Sequence, residues 1–309
     1  MVFLLLKTSY KVIMAKSVRV STNDACCFRP MDDGSMRLIF EVTRMCNLNC
    51  IHCMAPYEDN YRGLSYPRVI RLMHELKKNK ISKIMFTGGE PLLNSHIYEY
   101  IRIAVQYGVV VDLNSNLTLL SQDKAKILIE SGINEVTTSL DGDKDIHCSI
   151  RGDSECYDKT LNAISILCKN NVKVDIVCMV LNNNWRSLKT VVNIAEQIGA
   201  SSITFSGLIL RGRAKREQVV ENMDKVKGII NDLKEKSKIP IRTVKLFSND
   251  YTVCHKGVDI LGIDYLGNIH PCLQFKMEKA INLENISLTQ AIDYVSKNRM
   301  DYCDKSCVE

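Results

Sequence analysis

The sequence predicts an α/β protein: a partial (β/α)6 TIM-like barrel with a small, Cys-rich α+β appendix at the C-terminal end. Three observations predict it. Six β–α alternations recur at roughly thirty-residue spacing between 37 and 212. Polar motifs follow the strands rather than precede them, where open and closed α/β barrels place their chemistry. After Pro240 the texture changes to short strands and turns.

Residues 37–43 (RLIFEVT) read as a buried strand, and 65–79 carry a helical stripe of Val69, Ile70, Leu72, Met73 and Leu76. Strand 83–87 (KIMFT), helix 94–107, strand 109–114 (VVVDLN), helix 121–131 and strand 135–140 follow, with Ser121 a fair N-cap. Helix 157–170, strand 173–181 (KVDIVCMVL), helix 184–198 and strand 201–206 complete six repeats. Gly108, Gly132 and Gly199 stand where helices should stop. Six repeats are two short of a closed (β/α)8 barrel, so the barrel should be open. Trp185 reads as packing at a helix start. Residues 213–237 read as a charged helix, and GVDILGIDYLGNIHPC as a hairpin turning near Leu266–Asn268. The division expected is an N-terminal extension (1–36), a core (37–212), a connecting helix (213–239) and the appendix (240–309).

The chain has 309 residues, 46% hydrophobic and 25% charged, an ordinary globular balance. A net charge of +6, spread along the chain, and 6% aromatics argue against a nucleic-acid partner. The opening MVFLLLK is too short for a signal sequence or membrane span, and no later segment reaches eighteen apolar residues. Thirteen cysteines do not resemble a small secreted disulfide framework. A cytoplasmic location is therefore expected, where clustered cysteines bind metal more often than they pair.

The strongest motif is CNLNCIHC, with Cys46, Cys50 and Cys53 directly after the first strand. Structural zinc wants a fourth protein ligand. Three thiolates suit a [4Fe–4S] cluster with one iron left for another ligand; buried apolar cysteines are the plain alternative. Strand two ends in FTGGEPLL, strand three in DLNSN, strand four in TSLDGDKD, and the sixth leads to LRGRA.

CNLNCIHC and GGEP, Gly88 to Pro91, together resemble the radical S-adenosylmethionine (SAM) superfamily, over about 37–212. The resemblance implies that Cys46, Cys50 and Cys53 hold a [4Fe–4S] cluster whose open iron chelates SAM. Reductive cleavage would then give a 5′-deoxyadenosyl radical that abstracts hydrogen from a substrate. It implies that Gly88 and Gly89 let backbone approach the methionyl group and that Glu90 accepts from its ammonium. Asn114, Asn116, Ser139 and Asp141 would sit near ribose or methionyl groups, with turn capping the plain alternative. Arg151 would pair with the SAM carboxylate, or be solvated. His52 stands where the family has an aromatic residue, and an imidazole can stack on adenine. Arg211 and Arg213 face the cavity mouth or solvent.

Cys254, Gly267 and Cys272 resemble the opening of the SPASM and twitch domains, which carry auxiliary iron–sulfur clusters. With Cys303 and Cys307 they would complete one auxiliary cluster; a zinc site with the same ligands is the alternative. Cys168 and Cys178 read as core, and Cys26 and Cys27 have no reading. Cys148 and Cys156 flank the loop after strand four. Cys148 is a loop cysteine without a role, the plainer reading, or a hydrogen-atom donor to a product radical.

The function expected is a radical SAM maturase acting on a ribosomally made peptide or small protein by crosslink, thioether, oxidation or epimerisation. Its partners would be that substrate and a flavodoxin- or ferredoxin-type electron donor; since no peptide-recognition domain fits in 1–36, leader binding would fall to a separate protein or to the appendix itself. A small-molecule step in cofactor or antibiotic biosynthesis is the alternative.

Overall fold

The computed structural model describes residues 33–54, 63–244, 246, 259–273 and 279–298. β1 (Met36–Glu41) buries Leu38 and Phe40. α1 (Tyr66–Lys78) starts on Pro67, which suits the first helical turn, and buries the stripe Val69, Leu72, Met73 and Leu76. The unit repeats through β2 (Ile81–Thr87), α2 (Ile97–Gln106), β3 (Val110–Asn114), α3 (Gln122–Glu130) and β4 (Glu135–Ser139). Ser121 caps α3, its hydroxyl accepting from Lys124 N at 3.3 Å. Gly108, Gly132 and Gly199 adopt φ of 72°, 87° and 82° where helices end.

Two helices follow β4: α4 (Lys144–Arg151) and α5 (Cys156–Lys169). The expected loop is therefore half helix. Asp143 caps α4 by accepting from Ile146 N, and Gly152 ends it with φ 73°. β5 (Lys173–Met179), α6 (Leu188–Ile198), β6 (Ser202–Ser206), α7 (Met223–Lys236) and β7 (Ile241–Val244) continue the alternation. Trp185 is buried at the short 3₁₀ turn before α6.

β1 to β7 lie side by side in chain order, each neighbouring pair parallel. This parallel run is longer than the six strands expected. β7 adds to β6, and β8 (Ile260–Ile263), from sequence assigned to the appendix, pairs parallel with β1 from Arg37–Ile260 to Phe40–Ile263. β1 is apolar and would otherwise be an open edge; β8 supplies its missing ladder. The expected hairpin is β8 and β9 (Asn268–His270), and β10 (Ile281–Asn282) extends it. Among the described residues this is one ten-stranded sheet with β7 and β10 at its ends.

α8 (Leu288–Asn298) was not expected from the sequence. Its capping box, Ser287 with Gln290, was the available signal. Arg68 of α1 donates to the Ile286 carbonyl at 2.9 Å and Glu75 accepts from Leu288 N at 2.7 Å, so α1 anchors the start of α8. Among the described residues the main apolar core runs from Leu38 to Val295. Among the described residues no helix is long and apolar enough to cross a membrane.

Candidate active site

The loops that follow the strands meet around the cysteine loop. After β2, Gly89 N donates to Thr43 O and Glu90 N to Met45 O, both at 2.8 Å. The GGEP segment thus continues the β1–β2 pairing beyond the strands. Gly88 has φ 136°, and a Cβ on Gly88 or Gly89 would overlap the Thr43 or Met45 carbonyl oxygen. Hence the close approach these glycines allow is first of all to the protein's own cysteine loop.

Glu90 is fully buried. Its carboxylate accepts from Ser115 Oγ at 2.6 Å, Leu92 N at 3.0 Å and Asn116 N at 2.8 Å, tying the β2 loop to the β3 loop. Burial pushes this carboxyl up, against the pull of those three donors. Asn116 Nδ2 donates to Asn47 Oδ1 at 3.0 Å, and Asn47 Nδ2 to Thr118 Oγ1 at 2.8 Å, so the β3 loop also reaches the cysteine loop. Asn116 Oδ1 accepts from Thr118 N at 2.9 Å, the turn-capping alternative realised. Asn114 donates to Thr87 Oγ1 at 3.2 Å, and Ser139 ends β4, half-buried.

Asp141, after β4, has no exposed surface. It accepts from Arg151 Nε at 2.7 Å and Met179 N at 3.1 Å, and its backbone N donates to His147 Nδ1 at 3.2 Å. Burial pushes its carboxyl up, but Arg151, His52 and His147 together outweigh burial and hold it below the usual carboxylate value. Arg151 Nη1 is 3.7 Å from Cys50 Sγ. This guanidinium is thus committed to a buried carboxylate and a loop sulfur. The same residue lines the cavity beside Cys50 and Cys53, and α4, which the sequence did not announce, is what brings it there. Burial and then Arg151 depress His147 to about 4, although Asp141 opposes.

Three further contacts fix the cysteine loop. Arg213 Nε donates to Cys50 O at 2.9 Å, Arg213 N to Cys53 O at 2.9 Å, and Gln218 Nε2 to Ile51 O at 3.2 Å. Gly212, just before Arg213, has φ 65°, and a Cβ there would overlap the Cys53 carbonyl oxygen. The LRGRA motif is therefore a clamp on this loop, with its glycine as the signal.

Cys46, Cys50 and Cys53 pack with Leu48, Cys148 and Cys156. Cys156 Sγ is 3.9 Å from Cys148 Sγ. Burial pushes Cys46 up to about 11, so a metal binding there must displace a proton. Cys50, His52, Cys53, Met54, Arg151, Met179 and Ile209 line a cavity of about 200 Å³. His52 is buried, its Nδ1 has no hydrogen-bond partner among the described residues, and burial followed by Arg151 depresses it to about 4. Among the described residues no group of His, Cys, Asp and Glu converges on a single metal ion. Thiolates that each hold a different iron of one cluster need not converge. Three thiols, a guanidinium on one of them and an orphaned imidazole on the same cavity fit a thiolate-bound cluster with a polar ligand beside it.

Residues 40–195, half of the chain, match the model of the radical SAM superfamily. The chain belongs to this superfamily. Radical SAM proteins are built around a [4Fe–4S] cluster and SAM. An AdoMet-dependent heme synthase of Oleidesulfovibrio alaskensis is 32% identical over 60% of this chain and 50% of its own length. A PqqA peptide cyclase of Bradyrhizobium diazoefficiens is 19% identical over 85% of this chain and 73% of its own. The chain spans about half the length of the curated heme synthases it matches. In fold it is similar to Streptococcus suis SuiB, solved with its precursor peptide SuiA: TM-score 0.74, 15% identity, 87% of this chain and 67% of that one.

Cys46, Cys50, Cys53, Gly88, Gly89, Glu90, Asn116, Asp141 and Arg151 are thus linked around one loop. Cys254, Cys303 and Cys307 lie outside the described residues; Cys272, half-buried, follows β9. Gln218 and the Arg151–Cys50 contact went unread in the sequence, and Asp143 with Gly152 was the signal for the helix that makes the second.

Proposed function

We propose that this radical SAM enzyme is a maturase that modifies a ribosomally made peptide or small protein by crosslink, thioether, oxidation or epimerisation. The observation that carries the substrate class is the reach of the alignments. The likeness to the PqqA peptide cyclase extends over 85% of the chain, well past the 40–195 family region, against 60% for the heme synthase. Exposed Met54 on the cavity, with exposed Met45 next to the cysteine motif and Leu210 next to Ile209 in the chain, suits an extended chain better than a charged small metabolite.

In this reading Cys46, Cys50 and Cys53 hold the [4Fe–4S] cluster, and cluster and SAM together supply a one-electron cleavage that delivers a hydrogen-abstracting radical. Arg151 donates to the Cys50 sulfur, with Asp141 fixing the guanidinium. Arg213 and Gln218 keep the loop in place. His52 offers its Nδ1 to a polar group in the cavity, while Met54, Met179 and Ile209 exclude water. Gly88, Gly89 and Glu90 shape the wall for the methionyl end, and Asn114, Asn116 and Ser139 face the ribose. Cys254, Cys272, Cys303 and Cys307 hold an auxiliary cluster in a SPASM/twitch-like region, 240–309. A flavodoxin- or ferredoxin-type protein supplies the electron, and a separate protein or the 240–309 region binds the leader.

A small-molecule step is the second reading, favoured by the 32% identity to a heme synthase. The test is co-expression with each short reading frame beside the gene. A mass change in one peptide that disappears with Cys50→Ala supports the maturase. Unchanged peptides, alongside turnover of a tetrapyrrole by the same preparation, reject it.

A further inference from the structure

One pair of thiols beside the cysteine loop has no part in the function proposed above. Cys148 lies on α4 and Cys156 opens α5, with their sulfurs 3.9 Å apart. Cys148 is partly exposed, whereas Cys156 has no exposed surface. The helices are joined by a short turn, Gly152–Glu155, whose Gly152 adopts φ 73°. Both cysteines pack against Leu48 and Cys50. Two thiols so close, one reachable from solvent and one behind it, are the arrangement of an attacking and a resolving cysteine.

We propose that Cys148 and Cys156 are a redox-active dithiol that closes to an intramolecular disulfide when the enzyme meets a low-molecular-weight disulfide. The Cys148 thiolate attacks the oxidant's S–S bond, which breaks; one thiol leaves and a mixed disulfide forms on Cys148. Cys156 gives up its proton and attacks the Cys148 sulfur, expelling the second thiol. Two electrons pass from the cysteine pair to the oxidant, and its two sulfurs leave as thiols. Closure brings the sulfurs from 3.9 Å to about 2.05 Å, which the joining turn must absorb. Arg151 lies in the intervening segment with its guanidinium on Cys50 Sγ, so the pair is mechanically joined to the cysteine loop. The disulfide needs neither cluster nor SAM to form, and its test is independent of the substrate reading. In a reducing compartment it would be transient, as sensing disulfides are.

Trypsin offers a direct test, since it cuts after Lys144, Arg151 and Lys159 and separates the two cysteines. Anaerobically prepared holoenzyme is incubated with oxidised glutathione, quenched in acid, alkylated and digested. The expected product is DIHCSIR joined to GDSECYDK, two hydrogens lighter than the summed peptides, and absent after dithiothreitol. Cys156→Ser should instead leave glutathione on DIHCSIR. The proposal is overturned if wild-type enzyme yields both peptides alkylated, both separately glutathionylated, or Cys148 joined to another cysteine.

Discussion

Arg151 carries more of the site than any other side chain. It is the cation for Asp141, which has no exposed surface. Arg151→Ala leaves that carboxylate buried and unpaired, a loss of about 3–5 kcal/mol in urea denaturation; Asp141→Asn in the same background should restore part of it. A loss under 1 kcal/mol would mean that the pair is more hydrated than its burial indicates. His147 gives a pH signature. Its folded value, about 4, lies below the unfolded 6.5, so the unfolded chain binds a proton that the folded chain refuses. Stability therefore falls as pH drops through that window, by about 2 kcal/mol from this group between pH 7 and 5. His147→Gln should flatten that part of the profile, and an unchanged slope would contradict it. The cysteines, glycines and Glu90 were legible because their types and spacing announce them. The partner of Arg151 was not, because a sequence does not reveal which buried carboxylate needs a cation.

Among the elements, the turn around Gly212 and the strand β8 bear the clearest consequences. A methyl at Gly212 must displace the Cys53 carbonyl or the 209–214 segment. Gly212→Ala should lower the iron retained after gel filtration several-fold, while far-ultraviolet circular dichroism stays that of the wild type. Retention equal to the wild type would place the clamp elsewhere. β8 is a parallel neighbour of β1 and not part of a detached unit. Leu261, on β8, is 1% exposed, so Leu261→Ala should cost about 2–5 kcal/mol. That loss should fall on one cooperative transition shared with the core. Two separate transitions, with only the smaller one shifted, would contradict the shared sheet. Periodicity revealed the first six strands because apolar runs alternate with amphipathic helices. β7 escaped because it has only four residues, and β8, read as a hairpin strand, was not placed beside β1 because a pairing partner more than 200 positions away leaves no local pattern.

Over the whole molecule, the family's chemistry and this chain's geometry meet at one end of the sheet. Loops after β1, β2, β3, β4 and β6 hold one another through Thr43, Met45, Asn47, Glu90, Asn116, Asp141, Arg151 and Arg213. The fold class and reaction type were legible, because a parallel repeat and two motifs at strand ends specify them together. The substrate was not, since it depends on side chains brought to the cavity by four different segments. If Cys254, Cys272, Cys303 and Cys307 hold a second cluster, anaerobic reconstitution should give about eight irons per chain. About four would remove the auxiliary cluster from the account. The most direct measurement is 5′-deoxyadenosine formed from SAM under dithionite by the iron-loaded chain. Wild-type protein should form it and Cys50→Ala should not. An iron-loaded wild type that forms none, or a Cys50→Ala variant that forms as much, would contradict the central claim.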